Sequence, residues 1–319
     1  MTRKTDSLIL NDKVNALIDN MENVIIGKRS CVIRVIAAML CGGHVLLEDV
    51  PGVGKTRLVA ALAGSVNGKF NRIQMTPDVM PSDVVGYTMI NPETRKMEYR
   101  EGAAMCNFLL ADEINRASPK VQSSLLEIMD ERQISLDSNT YMLPKPFMTL
   151  ATQNPVETYG TYHLPEAQMD RFLIRVSMGY LTPKEEMRLM DSPHHVEKVN
   201  LKPVLSTEHI WDLQEKVKRI YTHAMLKEYI IDIVSATRNN ENIKLGISPR
   251  GTLGLNLMAK AMALMLGREY IIPDDVIGVA PCVLAHRLIL SPNRSDAYST
   301  QESAIKEIIK NIPLPESRG

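Results

Sequence analysis

Residues 46–56 read LLEDVPGVGKT. An apolar run leads into a glycine-rich loop that closes on Lys-Thr, and few loops are so closely tied to one chemistry. Gly52 and Gly54 allow the backbone to approach a polyphosphate with no side chain in the way. Successive backbone N–H groups then face the phosphate oxygens, and the helix expected over Arg57 to Ala63 adds the positive end of its dipole. Lys55 would reach the β and γ phosphates, and the Thr56 hydroxyl would ligate Mg²⁺. Pro51, Gly52, Val53, Gly54, Lys55, Thr56 and Arg57 are therefore the candidate nucleotide-binding residues. Asp49 stands where the strict G-x-x-x-x-G-K-[ST] pattern has its first glycine. A chance Gly-Lys-Thr in an ordinary turn is the alternative, but the strand before and the helix after supply the context the motif requires.

Working outward, strands and helices alternate. Helical spacing covers 7–24, with Leu8, Val14, Ile18 and Met21 inward, and again 30–41. Strands are expected at 44–47, 70–75, 107–111, 147–152 and 172–176, with an amphipathic helix over 120–131. Continuous apolar runs such as Asn107 to Ala111 suit central parallel strands covered on both faces. The alternation predicts an α/β fold with a doubly wound parallel sheet. Residues 84–101 and 133–147 read as inserted hairpins, the second turning at Asp137-Ser138-Asn139. Pro183, Pro193 and Pro203 punctuate 181–204, which reads as a linker. Beyond it the pattern is helical throughout, over 207–221, 226–239, 249–267, 273–287 and 298–311. The expected division is 1–180 for the α/β nucleotide-binding domain, 181–204 for the linker and 205–319 for an all-helical domain.

Hydrolysis needs a metal and an activated water. Asp112 and Glu113 end a buried strand and, being adjacent, point in different directions. Asp112 could hold Mg²⁺ while Glu113 polarises water; an acidic helix cap without catalytic work is the bland reading. Asn154 ends the next strand, beyond whose carboxyl edge ligands of such sheets sit; an Asx-turn before Pro155 is its plain alternative.

Composition is that of a globular protein: 319 residues, 45% hydrophobic and 23% charged, with 37 basic residues against 37 acidic ones. The zero formal charge and 5% aromatic content argue against nucleic acid as the main partner. The four cysteines form no CxxC pair and read as reduced, mostly buried thiols, and His194-His195 reads as solvated. No signal peptide and no run long enough to span a membrane can be read, so the expectation is a cytoplasmic protein without membrane insertion.

The strings IIGKRS (25–30), LLEDVPGVGKT, LLADEINRA (109–117), ATQNPVETYGTYHLPEAQMDRF (151–172) and SPRG (248–251), in that order, resemble the AAA+ ATPases and, within them, the MoxR family. The resemblance covers nearly the whole chain from Ile25, and Asp49 is often found at its position in that family. It implies a P-loop AAA+ core with hairpin inserts and a C-terminal helical lid. Lys55 and Thr56 match the Walker A pair, and Asp112 and Glu113 the Walker B pair. Asn154 matches sensor 1, Arg171 the arginine finger that reaches a neighbouring subunit's nucleotide, and Arg250 sensor 2, counted among both the catalytic and the nucleotide-contacting residues. Ile26 and Gly27 fall in the adenine-contacting segment, and Arg116 is a further candidate at the subunit boundary. Arg171 could instead pair with Asp170 or Glu166, and Arg250 could be a solvated first-turn residue. The resemblance further implies Mg²⁺-dependent ATP hydrolysis in a ring, as a hexamer, with ATP between core and lid. It implies chaperone-like remodelling of partner proteins, often ones with von Willebrand factor A domains. The rival readings are a motor subunit acting on nucleic acid or in metal chelation, an ATP-switched scaffold with little turnover, and a small-molecule phosphotransferase.

Overall fold

The computed structural model describes residues 12–137, 139–155, 161–162, 164–191 and 201–315. Leu8, Ser138, Pro193 and the His194-His195 pair lie outside the described residues.

The chain opens with α1 (Asp12–Glu22), whose buried Val14, Leu17, Ile18 and Met21 repeat at i, i+3, i+4 and i+7. Next comes α2 (Arg29–Leu40), buried without a break from Val35 to Leu40. β1 (Val45–Glu48) feeds the glycine-rich loop, and α3 (Lys55–Ser65) leaves it. β2 (Phe70–Gln74) follows, then the short helix α4 (Pro81–Val85) and the hairpin of β3 (Gly86–Ile90) and β4 (Met97–Glu101). β5 (Phe108–Asp112) and α5 (Pro119–Glu131) lead into a second hairpin, β6 (Gln133–Leu136) and β7 (Asn139–Met142). β8 (Met148–Gln153), the one-turn helix α6 (Glu166–Met169) and β9 (Ile174–Val176) complete the core.

The five central strands are all parallel, in the order β2-β5-β8-β1-β9. Val45 and Leu47 of β1, Phe108 and Leu110 of β5, and Met148 and Leu150 of β8 face one hydrophobic cluster. Leu46, Leu109, Ala111 and Ala151 face the other. A period of two with both faces dry is why these strands read as unbroken apolar runs. Each fully buried leucine contributes about 1.5–3 kcal/mol relative to exposure. The two hairpins lie against each other: Tyr99 stacks on Tyr141 with ring centroids 4.1 Å apart, and the Thr88 hydroxyl donates to Asp137.

The stretch expected to be a linker carries a helix, α7 (Pro183–Met190), started by a capping box in which Thr182 and Glu185 exchange hydrogen bonds. The remaining helices are α8 (Thr207–Arg219), α9 (Ala224–Arg238), α10 (Pro249–Met265), α11 (Pro273–Leu284) and α12 (Gln301–Asn311). This lid is helical but not entirely so. β10 (Ile243–Leu245) and β11 (Ile289–Leu290) form a two-stranded antiparallel pair, too short to show a period in the sequence. The lid shares the core's first cluster: Ile210, Leu213, Met258 and Ala259 bury with Val35, Ile36 and Met39 of α2. Gln214 seals the contact by donating to the Met39 carbonyl at 2.7 Å.

The cysteines are free thiols, with Cys31, Cys106 and Cys282 buried and Cys41 partly so. Burial pushes Cys31 and Cys106 up to about 12, so neither is a reactive thiolate near neutral pH. Among the described residues, no helix is long and apolar enough to cross a membrane.

Candidate active site

The loop after β1 turns on two left-handed glycines, Gly52 (φ 84°) and Gly54 (φ 95°), a backbone that side chains rarely adopt. Lys55 is anchored by donating from Nζ to the main-chain oxygen of Asp49 at 2.8 Å. Over the loop lies a cleft of about 310 Å³. One wall is Pro51–Gly54 with Arg57, the second is Val24–Ile26 with Lys28, and the third is Met178–Leu181 with Glu186 and Leu189 of α7. These walls are tied together. Lys28 donates to the Tyr180 carbonyl at 2.8 Å. Gly27, itself left-handed at φ 71°, has a Glu185 carboxyl carbon only 2.3 Å from where a Cβ would stand, so a larger residue there would strain the backbone and push the Glu185 side chain aside.

The residues present suit a nucleotide with Mg²⁺. Arg57 Nε is buried with no partner, a donor that an anion in this cleft would satisfy. Nothing lies within 4 Å of a Cβ built on Gly52, so the loop backbone is open to close approach. The Thr56 hydroxyl and the Asp112 carboxylate are the oxygen donors a hard cation takes.

Asp112 and Glu113, expected to diverge, instead both reach the same face of β2, at Arg72 and Gln74, which are themselves hydrogen-bonded at 2.9 Å, because Glu113 has left the strand on a left-handed backbone. Asp112 Oδ1 accepts from Thr152 Oγ1 at 2.6 Å, and Oδ2 pairs with Arg72 Nη2 at 2.7 Å. Glu113 takes a left-handed backbone (φ 59°), with its N–H donating to Thr152 Oγ1 at 2.8 Å. Its Oε2 accepts from Gln74 Nε2 at 2.9 Å and Arg116 Nη1 at 3.0 Å. A non-glycine residue held there is the strained kind of backbone that gathers at functional sites. Thr152, from the neighbouring strand β8, thus positions both acids. Asn154 follows β8 directly and is 6% exposed.

Arg171 and Arg250 meet in a different place. Arg171 Nε lies 3.0 Å from Asp130 Oδ2, and Arg250 Nη2 lies 3.2 Å from Asp130 Oδ1. Arg171 thus makes its part-exposed ion pair with Asp130 in place of the expected Asp170 or Glu166, and Arg250, in the first turn of α10 with its side chain 49% exposed, reaches the same carboxylate. Their cleft is also lined by Gly42, Gly43 and His44 at the start of β1, the end of the sheet opposite the glycine-rich loop. Among the described residues, no lid residue lines the cleft over the glycine-rich loop. Lid residues instead meet the carboxyl ends of β8 and β9 in a separate cleft, where Arg175 donates to Gln301 at 2.8 Å.

Sequence reasoning brought Lys55, Thr56, Asp112, Glu113 and Asn154 to one edge of the sheet and Ile26 to the cleft. It missed the wall from Met178 to Leu189, the anchors Arg72, Gln74 and Thr152, and the hub Asp130. One of these left a signal: Thr182-x-x-Glu185 with Pro183 between is a helix-start pattern.

The fold agrees with known proteins. Residues 44–174 match the family described as ATPase family associated with various cellular activities (AAA), and residues 235–308 match an AAA lid domain. The chain is 45% identical over 312 residues to the YeaC protein of Bacillus subtilis (strain 168), covering 97% of each chain. It is 41% identical over 305 residues to the chaperone MoxR1 of Mycobacterium tuberculosis (strain ATCC 25618 / H37Rv), covering 93% of this chain and 81% of that one. A crystal structure described as that of a "putative ATPase" from Cytophaga hutchinsonii ATCC 33406 superposes with a TM-score of 0.87 at 36% identity, covering 96% of both chains. With the glycine-rich loop, the strand-end acids and the lid in place, the chain belongs to the MoxR family of AAA+ ATPases.

Proposed function

We propose that this chain hydrolyses ATP with Mg²⁺ at a site completed by a second copy of itself. Lys55, Arg57 and the backbone of Pro51–Gly54 bind the phosphates, and Ile26 and Gly27 border the base. Thr56 and Asp112 would hold Mg²⁺, which when bound draws charge off the phosphoryl oxygens. Glu113 takes the proton of the attacking water, with Asn154 orienting it. Arg171 and Arg250 of the neighbouring copy neutralise the charge that develops on the transferring group, an effect worth about 10³–10⁵ in rate where an arginine acts in trans.

One observation carries the reading. The two arginines share Asp130 at the end of the sheet away from their own loop, so they serve a neighbour better than themselves. A head-to-tail contact of this kind repeats into a ring, and a hexamer is the proposed form. The division of labour is 1–180 for nucleotide chemistry, 181–204 for the connecting segment with α7, and 205–319 for the lid. The work done is remodelling or maturation of partner proteins in the cytoplasm, those with von Willebrand factor A domains first among them. The chaperone description of the mycobacterial relative supports this.

Phosphate release measured against protein concentration tests the proposal. Specific activity should rise with concentration and vanish with EDTA. Activity that is flat with dilution would remove the shared site, and activity indifferent to EDTA would remove the metal.

A further inference from the structure

Asp49 is a buried carboxylate, 6% exposed, at the loop position where the strict phosphate-loop pattern has glycine. Its side chain faces away from the loop. Oδ1 accepts from Ser177 Oγ at 2.8 Å and from the Gly179 N–H at 3.1 Å, and Oδ2 accepts from the Met178 N–H. All three donors belong to the segment after β9, and that segment supplies the apolar wall of the cleft through Met178, Gly179, Tyr180 and Leu181. On its other side, Asp49 gives its main-chain oxygen to Lys55 Nζ. One residue therefore touches both the phosphate-binding lysine and the wall opposite it. A buried carboxylate receiving three hydrogen bonds is a costly feature that glycine would not require.

Resting on the nucleotide reading above, we propose that Asp49 is a positioning residue that couples the base-binding wall to the phosphate loop. It sets where Met178–Leu181 stand relative to Lys55, so that base and triphosphate are held in register. Without it the loop still binds phosphate, but the base wall is no longer fixed to it, and the base adds less to affinity.

The experiment compares two probes on the full chain by calorimetry: ATP, which uses loop and wall, and inorganic tripolyphosphate, which uses the loop alone. The variants are Asp49→Gly, which restores the strict pattern, Asp49→Asn, which turns a donor toward donors, and Ser177→Ala, which removes one contact from outside the loop. For Asp49→Gly and Asp49→Asn, the preference for ATP over tripolyphosphate should fall about tenfold or more, the scale of one charge-assisted hydrogen bond. For Ser177→Ala it should fall about threefold. The KM for ATP should rise by the same factors while kcat holds. An unchanged preference, or equal losses for both probes, would overturn the coupling while leaving the nucleotide site intact. If the Asp49 variants do not fold, Ser177→Ala decides by the same ratio. A wild-type chain that binds neither probe would overturn the nucleotide reading and this proposal with it.

Discussion

The buried Arg287 of the lid closes an ion pair on the part-buried Asp170 of the core, with Nε 2.7 Å from Oδ1. The guanidinium also donates to the carbonyls of Asp170, Phe172, Leu173 and Val283. Asp170 Oδ2 meanwhile accepts from Ser248 Oγ at 2.9 Å, at the residue that caps α10. Asp170 adjoins Arg171 in sequence, and Ser248 lies two residues before Arg250. The pair therefore fixes both arginines to one rigid junction and presents them together. Asp170→Asn leaves a buried guanidinium without its counter-charge, which costs about 3–5 kcal/mol in such settings. Urea unfolding should show that loss. ATPase activity should fall further than ATP binding does, because the arginines lose their alignment.

Glu113 sits between Gln74 and Arg116 with its carboxylate as acceptor. Glu113→Gln keeps the shape and removes the base. Its kcat should drop about 10²–10⁴-fold, the usual contribution of a positioned base, with the ATP Kd within about threefold of wild type. Phosphate release and calorimetry on the same preparation check both.

His44 links stability to pH. Burial pulls its imidazole down to about 4 and outweighs the hydrogen bond from Nε2 to the Met129 carbonyl, which pulls the other way; Nδ1 accepts from the Thr149 N–H. The folded state thus refuses a proton that the unfolded chain, with an ordinary value near 6.5, accepts. Stability from this group is complete above about pH 6.5 and is lost as pH falls toward 4, about 2 kcal/mol of it by pH 5. His44→Gln should flatten the slope of unfolding free energy between pH 7 and 5. Parallel slopes for the two proteins would contradict the assignment. His286, pulled well below 6.5 by burial, adds a residual slope of the same sign in both.

The parallel core was legible because its strands are buried on both faces, so Leu46 and Leu109 read as parts of unbroken apolar runs. Lys55, Thr56, Asp112 and Glu113 were legible because their chemistry demands fixed spacing next to a strand end. What could not be read depends on pairs distant in sequence. Nothing local tells that Asp130 joins Arg171 to Arg250, or that Asp49 after β1 meets Ser177 after the neighbouring strand β9, 128 residues on. The wall from Met178 to Leu189 was hidden because three prolines made its stretch look like a linker, although Thr182 and Glu185 mark a helix start. The β10–β11 pair, at three and two residues, is too short for any periodicity.

The central claim is that each site is shared between two copies, and mixing two inactive chains tests it most directly. Arg171→Ala keeps its own loop and Glu113, while Glu113→Gln keeps its arginines. Each alone should be nearly inactive, and an equal mixture should recover up to about a quarter of wild-type activity, from interfaces that pair an intact loop with an intact arginine. No recovery from two chains shown to co-assemble, or full activity of Arg171→Ala alone, would contradict the account.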